Sequence, residues 1–352
     1  MAKFWTVRAG RNGERNEWSF ANGVVGGGWH EMPDLTGVSD REVLRQIVSD
    51  VYGGSKNTVA NLTGQLWTLT NRIQAGDFIA LPIRATSQVA FGQVVGGYKY
   101  LKDQEDPSRR HVIRVKWIKT DVPKTLLKQD MLYQLGSAMT IFEVGNNDAA
   151  YRLERVMEGK PDPGARSTMS PGLESKNTSS RPSDETVASG DAINLEEVAQ
   201  DEIAKRLQED FKGHELSELV ESLLVAEGFK CRNSPPGADG GVDVLAGMGP
   251  LGMDSPKLVV QVKSQTSAVS DTVLQQLNGA IHRFQADQAL LVTFGGVTGP
   301  AKTYLETQYF NIRVWTMDDI LQAIYKHYDL LPSEMKAKLP LKQIWVPISS
   351  NE

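Results

Sequence analysis

"PPGADGGVDVLAG" (residues 235–247) and, after a short gap, "LVVQVKSQT" (258–266) decide how the second half of this chain is read. In the first, a turn of Asp and Gly runs into an alternating strand. In the second, Gln and Lys interrupt a run of valines that would otherwise suit a buried strand. Alternation sets Asp243 and Leu245 on one face, with Val242 and Val244 on the other. Gln261 and Lys263 likewise share a face, opposite Val260 and Val262. Antiparallel pairing of the two strands would bring an acid, an amide and an ammonium group onto one surface. Each is costly to bury among valines without a partner. Phosphodiester hydrolysis uses such a set: a carboxylate for a divalent cation, and a lysine to orient or deprotonate the water it activates. A tight Asp-Gly-Gly turn with Lys263 reaching solvent is the plainer reading of the same residues.

Around this pair the chain alternates. "NLEEVAQDEIAKRLQEDF" and "HELSELVESLLVAEGF" are helical by apolar spacing, with Leu216, Leu219, Val220, Leu223 and Leu224 on one stripe. A helix at "SDTVLQQLNGAIHRFQ", a strand at "QALLVTF", a helix from "GPAKTYLETQYF" and a strand at "IRVWT" follow. This order predicts a mixed α/β sheet covered by helices on both faces over residues 193–338, with a tail at 339–352.

These segments, taken in order over about residues 211–322, resemble the Mrr-type catalytic domain of the PD-(D/E)xK nuclease superfamily. In that family the second acidic position is a glutamine, as Gln261 is here. The resemblance implies a restriction-endonuclease-like fold, Asp243 as a metal ligand, Gln261 beside the metal and Lys263 as the catalytic lysine, with Mg²⁺ as cofactor and Mn²⁺ as a substitute. The family often carries a glutamate early in the preceding helix, where this chain has Ser217. Glu215, Glu218 and Glu221 are the alternatives, and Glu218 lies one residue from the aligned position, about 100° around a helix. Asp239 is a turn residue or a secondary metal contact, and Thr293 or Lys302 is a candidate contact to the DNA backbone.

Residues 158–192, rich in Pro, Gly, Ser and Thr, read as a flexible linker. Before it, residues 1–157 read mostly as strands: "FWTVRAG", "QLWTLTN", "DFIALPI", "VAFGQVVGGYKY" and "HVIRVKWI". One helix is expected at "SDREVLRQIVSDVYG", capped by Ser39 and burying Val43, Ile47 and Val51. The whole is an α+β two-domain protein whose first domain is a curled β-sheet or small barrel. The run "RIQAGDFIALPIRATSQVAFGQVVGGYKY" is similar to the core of PUA-superfamily domains, which include EVE-type base readers, over about residues 64–118. That similarity implies a pocket for a modified or extruded base. Five of the seven tryptophans lie in this half. Trp18 and Trp29, in polar and glycine-rich stretches, are candidate base contacts, and Tyr98 and Tyr100, on one strand face, line a cleft or close a core.

The net charge of −5 argues against non-specific polyanion binding by the whole chain. Residues 1–157 nonetheless hold 20 Lys+Arg against 16 Asp+Glu, and the remainder 18 against 27. The single cysteine excludes an intrachain disulfide framework, and no apolar run approaches a membrane span, so the expected location is the cytoplasm. The expected function is a modification-dependent, type IV-like restriction endonuclease, acting on double-stranded DNA in defence against foreign DNA. Cutting both strands needs two sites, so a homo-oligomer is expected. The alternative is an effector nuclease licensed when the first domain senses a nucleotide or other small ligand.

Overall fold

The computed structural model describes residues 2–137, 139–166, 194–234 and 241–345. The chain divides into two compact units, with the boundary between Val198 and Ala199.

The first unit contains β1 (Phe4–Val7), α1 (Asn16–Asn22), β2 (Val24–Gly26), α2 (Arg41–Tyr52), α3 (Lys56–Trp67), β3 (Phe78–Ile83), β4 (Gln88–Tyr100), β5 (His111–Pro123), α4 (Gln129–Leu135), β6 (Ile141–Glu143) and α5 (Ala149–Met157). Its six strands form one mixed sheet in the order β2-β5-β4-β3-β1-β6. The β1–β3 pair is parallel and the other pairs are antiparallel. The strand order is open, with β2 and β6 as edges, so the barrel alternative is corrected to a sheet. Register shifts along the 13-residue strands β4 and β5 supply its irregularity. Phe4, Phe91, Leu132 and Leu153 pack on one side of the sheet, and Trp5, Val94, Ile113 and Val115 on the other.

Helices are more plentiful here than expected. "QLWTLTN" is not a strand but the end of α3 and a π turn over Thr68–Arg72. "NEWSFAN" is α1 rather than a loop. In α2 the cap is Asp40, whose carboxylate accepts from the Glu42 N–H, not Ser39. The helix buries Leu44 and Val48, while Val43 is 51% exposed. Ile47 and Val51 of the expected stripe pack, partly buried, against the same cluster, so the buried face is turned towards Leu44 and Val48 and leaves only Val43 outside. Residues 158–166, expected to open the linker, fold back on this unit: Asp162 is buried and accepts from Arg152 and from the Lys128 and Gly164 N–H groups. Residues 167–193 lie outside the described residues.

The second unit takes in most of α6 (Leu195–Asp210), then α7 (His214–Ala226), β7 (Lys230–Asn233), β8 (Val244–Met248), β9 (Asp254–Lys263), α8 (Asp271–Phe284), β10 (Gln288–Thr293), α9 (Gly299–Thr307), β11 (Ile312–Trp315), α10 (Met317–His327) and α11 (Ser333–Lys338). The sheet order is β11-β10-β9-β8-β7. Its β11–β10–β9 half is parallel and its β9–β8–β7 half antiparallel. The expected α7 stripe is buried, packing with Val244, Val260 and Val262. On the other face, Leu274, Leu277 and Ala301 pack against Val259 and Leu291. Val242 joins this second cluster, so it does not share a face with Val244 as the alternation predicted; regular strand begins only at Val244. The edge strand β7, "KCRN", escaped the sequence reading. Leu339, first residue of the expected tail, is fully buried in the unit's core.

Candidate nuclease site

Strands β8 and β9 pair antiparallel with Val244 opposite Val260. Asp243 stands one residue before the regular strand, and its N–H donates to the Val260 carbonyl at 2.8 Å. One oxygen of the Asp243 carboxylate accepts the Val262 N–H at 2.7 Å, which fixes the acid against the neighbouring strand. Gln261 is 4% exposed, and its Oε1 has no hydrogen-bond partner among the described residues. Gly241 (φ +82°) makes room for this amide: a Cβ there would stand 2.9 Å from Gln261 Nε2. Lys263 ends the strand, half-buried, and no ion pair holds its ammonium among the described residues.

On the far side of β9, the parallel register places Thr293 beside Lys263. Thr293 is fully buried, and its hydroxyl also lacks a partner among the described residues. Native interiors seldom leave such atoms unpaired, and these two stand at the same ends of adjacent strands. An orphaned amide oxygen, with a carboxylate bonded to the next residue of the strand, offers hard oxygen donors of the kind Mg²⁺ or Mn²⁺ takes. Among the described residues, no three His, Cys, Asp or Glu side chains gather as a metal cluster. Asp239 lies outside the described residues.

The helix glutamates separate. Glu218 reaches Lys338 at 3.1 Å and His214 at 3.5 Å, and Glu215 also pairs with Lys338, so both are engaged with groups outside the strand pair. Glu221 instead accepts from Asn233 on β7, and Asn233 pairs with Val244 beside Asp243. Ser234 N–H donates to the Asp243 carbonyl at 2.8 Å. Of the three, Glu221 therefore stands nearest the strand pair by its contacts. Ser217 is buried and bonds back to the Gly213 carbonyl. Lys302 is exposed on α9. An apolar cleft of about 240 Å³, lined by Leu224, Phe229, Leu258, Leu290 and Trp315, opens at the opposite ends of β9 and β10.

The aromatic candidates of the first unit differ among themselves. Tyr98 hydroxyl accepts the Leu35 N–H at 3.3 Å and meets His111 Nδ1 at 2.9 Å. Burial pushes the pKa of this phenol well above its usual range. His111 is buried, contacts the Met32 carbonyl through Nε2, and burial pulls its pKa down. Tyr100 packs edge-on against the same imidazole. Tyr98 thus closes a core, and Tyr100 is half-buried beside it. Trp29 holds a left-handed backbone (φ +44°), rare for a bulky residue, with its ring packed against two apolar clusters. Trp18 is half-exposed on α1, with the Arg109 guanidinium 5.5 Å from its ring.

Residues 208–324 match the model of a restriction endonuclease family, the Mrr catalytic domain. The second unit carries a Mrr-type restriction endonuclease domain. This restriction endonuclease family comprises DNA endonucleases, which hydrolyse phosphodiester bonds. Residues 5–144 match a second family, described as a domain of unknown function (DUF8426). No curated protein matches the chain. Among solved structures, the chain is similar to the MspJI restriction endonuclease in complex with a 27-mer oligonucleotide. That match has 12% identity, covers 96% of this chain and 79% of that one, and has a TM-score of 0.33. It is also similar to the DNA modification-dependent restriction endonuclease AspBHI, with 13% identity, 90% and 79% coverage, and a TM-score of 0.32. No helix among the described residues is long and apolar enough to cross a membrane.

Proposed function

We propose that the protein is a modification-dependent DNA endonuclease. Its second unit would hydrolyse the phosphodiester backbone, and its first would recognise a modified base in duplex DNA. The observation that carries the reading is the buried amide oxygen of Gln261, partnerless among the described residues, in a restriction endonuclease domain where Asp243 bonds the neighbouring Val262 N–H and Lys263 ends the same strand. Asp243 and Gln261 would hold Mg²⁺, and Glu221 replaces Glu218 as the helix carboxylate best placed to assist. The ion, when bound, supplies Lewis-acid chemistry. Lys263, on the same face as Gln261, orients the attacking water and offsets charge on the phosphate. Asp243 is held for its task by the Val262 N–H.

Recognition of the modified base would fall to Trp18, half-exposed on α1, and to Trp29, whose ring the two apolar clusters cover only in part. Tyr98 and Tyr100 support the fold around His111. Cutting both strands requires two catalytic units, so a homo-oligomer is the working assembly. The test is to incubate the protein with Mg²⁺ and matched plasmids that are unmodified, cytosine-modified or adenine-methylated. The expected result is linearisation of one modified plasmid only, with Lys263→Ala reducing the rate by at least about 10²-fold. Equal cutting of all three plasmids would sink the modification dependence, and undiminished cutting by Lys263→Ala would sink the site. Cleavage only after a free nucleotide is added would favour a ligand-activated nuclease.

A further inference from the structure

On β5, the alternate positions 114 and 116 carry Arg114 and Lys116, both exposed; Lys99 of β4 stands opposite Val112 on the same side. Alternate residues on a strand lie about 6.6 Å apart, so these cations form a row. Several cations elsewhere on the unit pair locally, Lys3 and Arg72 with Glu143, Arg45 with Glu42, Arg109 with Asp106 and Arg166 with Asp148, while Lys56 and Lys102 stand exposed singly rather than in a row. Among the described residues, Lys99, Arg114 and Lys116 meet no carboxylate. The carboxylates between the two strands, Asp103, Glu105 and Asp106, sit in the connecting turn.

The backbone makes room for the row. Gly96 pairs with Arg114, and a Cβ on it would stand 2.8 Å from Arg114 Nη2, so the guanidinium lies over the strand because that residue is a glycine. Val95 and Ile118, both about half exposed, flank the row with aliphatic surface. A chain of net charge −5 that concentrates unneutralised cations on one sheet face has a surface matched to a regular polyanion.

We infer that the β4–β5 face bearing Lys99, Arg114 and Lys116 docks on the phosphate backbone of duplex DNA. This rests on the reading that the first unit meets DNA, and it names a surface apart from Trp18 and Trp29. Phosphate contacts set orientation and affinity but carry no sequence information. The face therefore binds modified and unmodified duplex alike and leaves base choice to the aromatic residues.

The experiment measures binding of the full chain to labelled duplexes, with chelator present, across a range of salt concentrations. Each lost phosphate contact lowers the slope of log K against log salt by about 0.9. The double variant Arg114→Gln/Lys116→Gln should therefore lose about 1.8 from the slope on modified and unmodified duplex equally. Lys56→Gln, an exposed cation on α3, should leave the slope unchanged. An unchanged slope in the double variant overturns the proposal, as does tighter binding of the parent to single-stranded RNA than to duplex. A thermal midpoint equal to the parent's excludes misfolding. A parent that binds duplex through this face without preference for modified bases leaves this inference standing and counts against the modification dependence.

Discussion

Tyr98 and Gln261 each set a polar group within a sheet, and they differ in what that group touches. Tyr98 hydroxyl meets Leu35 N–H and His111. Gln261 Oε1 meets nothing among the described residues, and neither does the Thr293 hydroxyl on the next strand. The first unit shows the same completeness at Arg152, whose fully buried guanidinium is shared between Asp130 and Asp162. At Tyr98 and Arg152 the hydrogen bonds are closed within the fold. On the proposed function, Gln261 keeps its amide oxygen open for a ligand and costs stability for as long as it waits.

The sharpest way to break this contrast is Gln261→Met, which keeps the volume and removes the amide. Cleavage should fall by at least about 10²-fold, while stability to urea rises by about 1–2 kcal/mol because an unpaired buried amide is gone. A loss of stability would mean the amide is structural after all. Tyr98→Phe should do the reverse. It leaves His111 and the Leu35 N–H short of a partner, costing about 1–3 kcal/mol in denaturant unfolding, with the cleavage rate at saturating DNA unchanged. The smallest effect concerns acid. Bonding to Arg152 holds Asp130 down from 3.8 to about 2. A carboxylate whose folded pKa is depressed stabilises the fold above its unfolded pKa, and that stabilisation fades as pH falls from about 4 towards 2. Asp130→Asn should flatten the first unit's stability profile across this window and change little at pH 7, because the carboxylate is partly exposed.

The second unit was largely legible in the sequence because its helices and central strands differ in period. β7 was not, since a four-residue polar edge strand has no buried face to announce it. In the first unit, β-branched and aromatic residues drew "QLWTLTN" towards strand, but packing of Leu66 and Leu69 turned it helical. Alternation places Gln261 and Lys263 on one face of β9, but it fails just before β8, where Asp243 precedes the regular strand. The helix carboxylate could not be read, because choosing between Glu218 and Glu221 depends on how α7 is rotated over β7, and the partners Lys338 and Asn233 are distant in sequence. Whether Tyr98 lines a cleft or closes a core was open for a similar reason: its partners Leu35 and His111 come from other segments of the chain.

The bond from Val262 N–H to the Asp243 carboxylate places two independent demands on a single position. On the proposed function, chemistry asks for a negative charge there, and the end of the β8–β9 ladder asks for an acceptor at that short reach. Asparagine answers only the second demand, and glutamate keeps the charge but carries it one methylene further out. Few substitutions at residue 243 can therefore drift in by neutral steps, whereas the helix carboxylate, tied to no backbone, is free to migrate along α7 from one turn to the next.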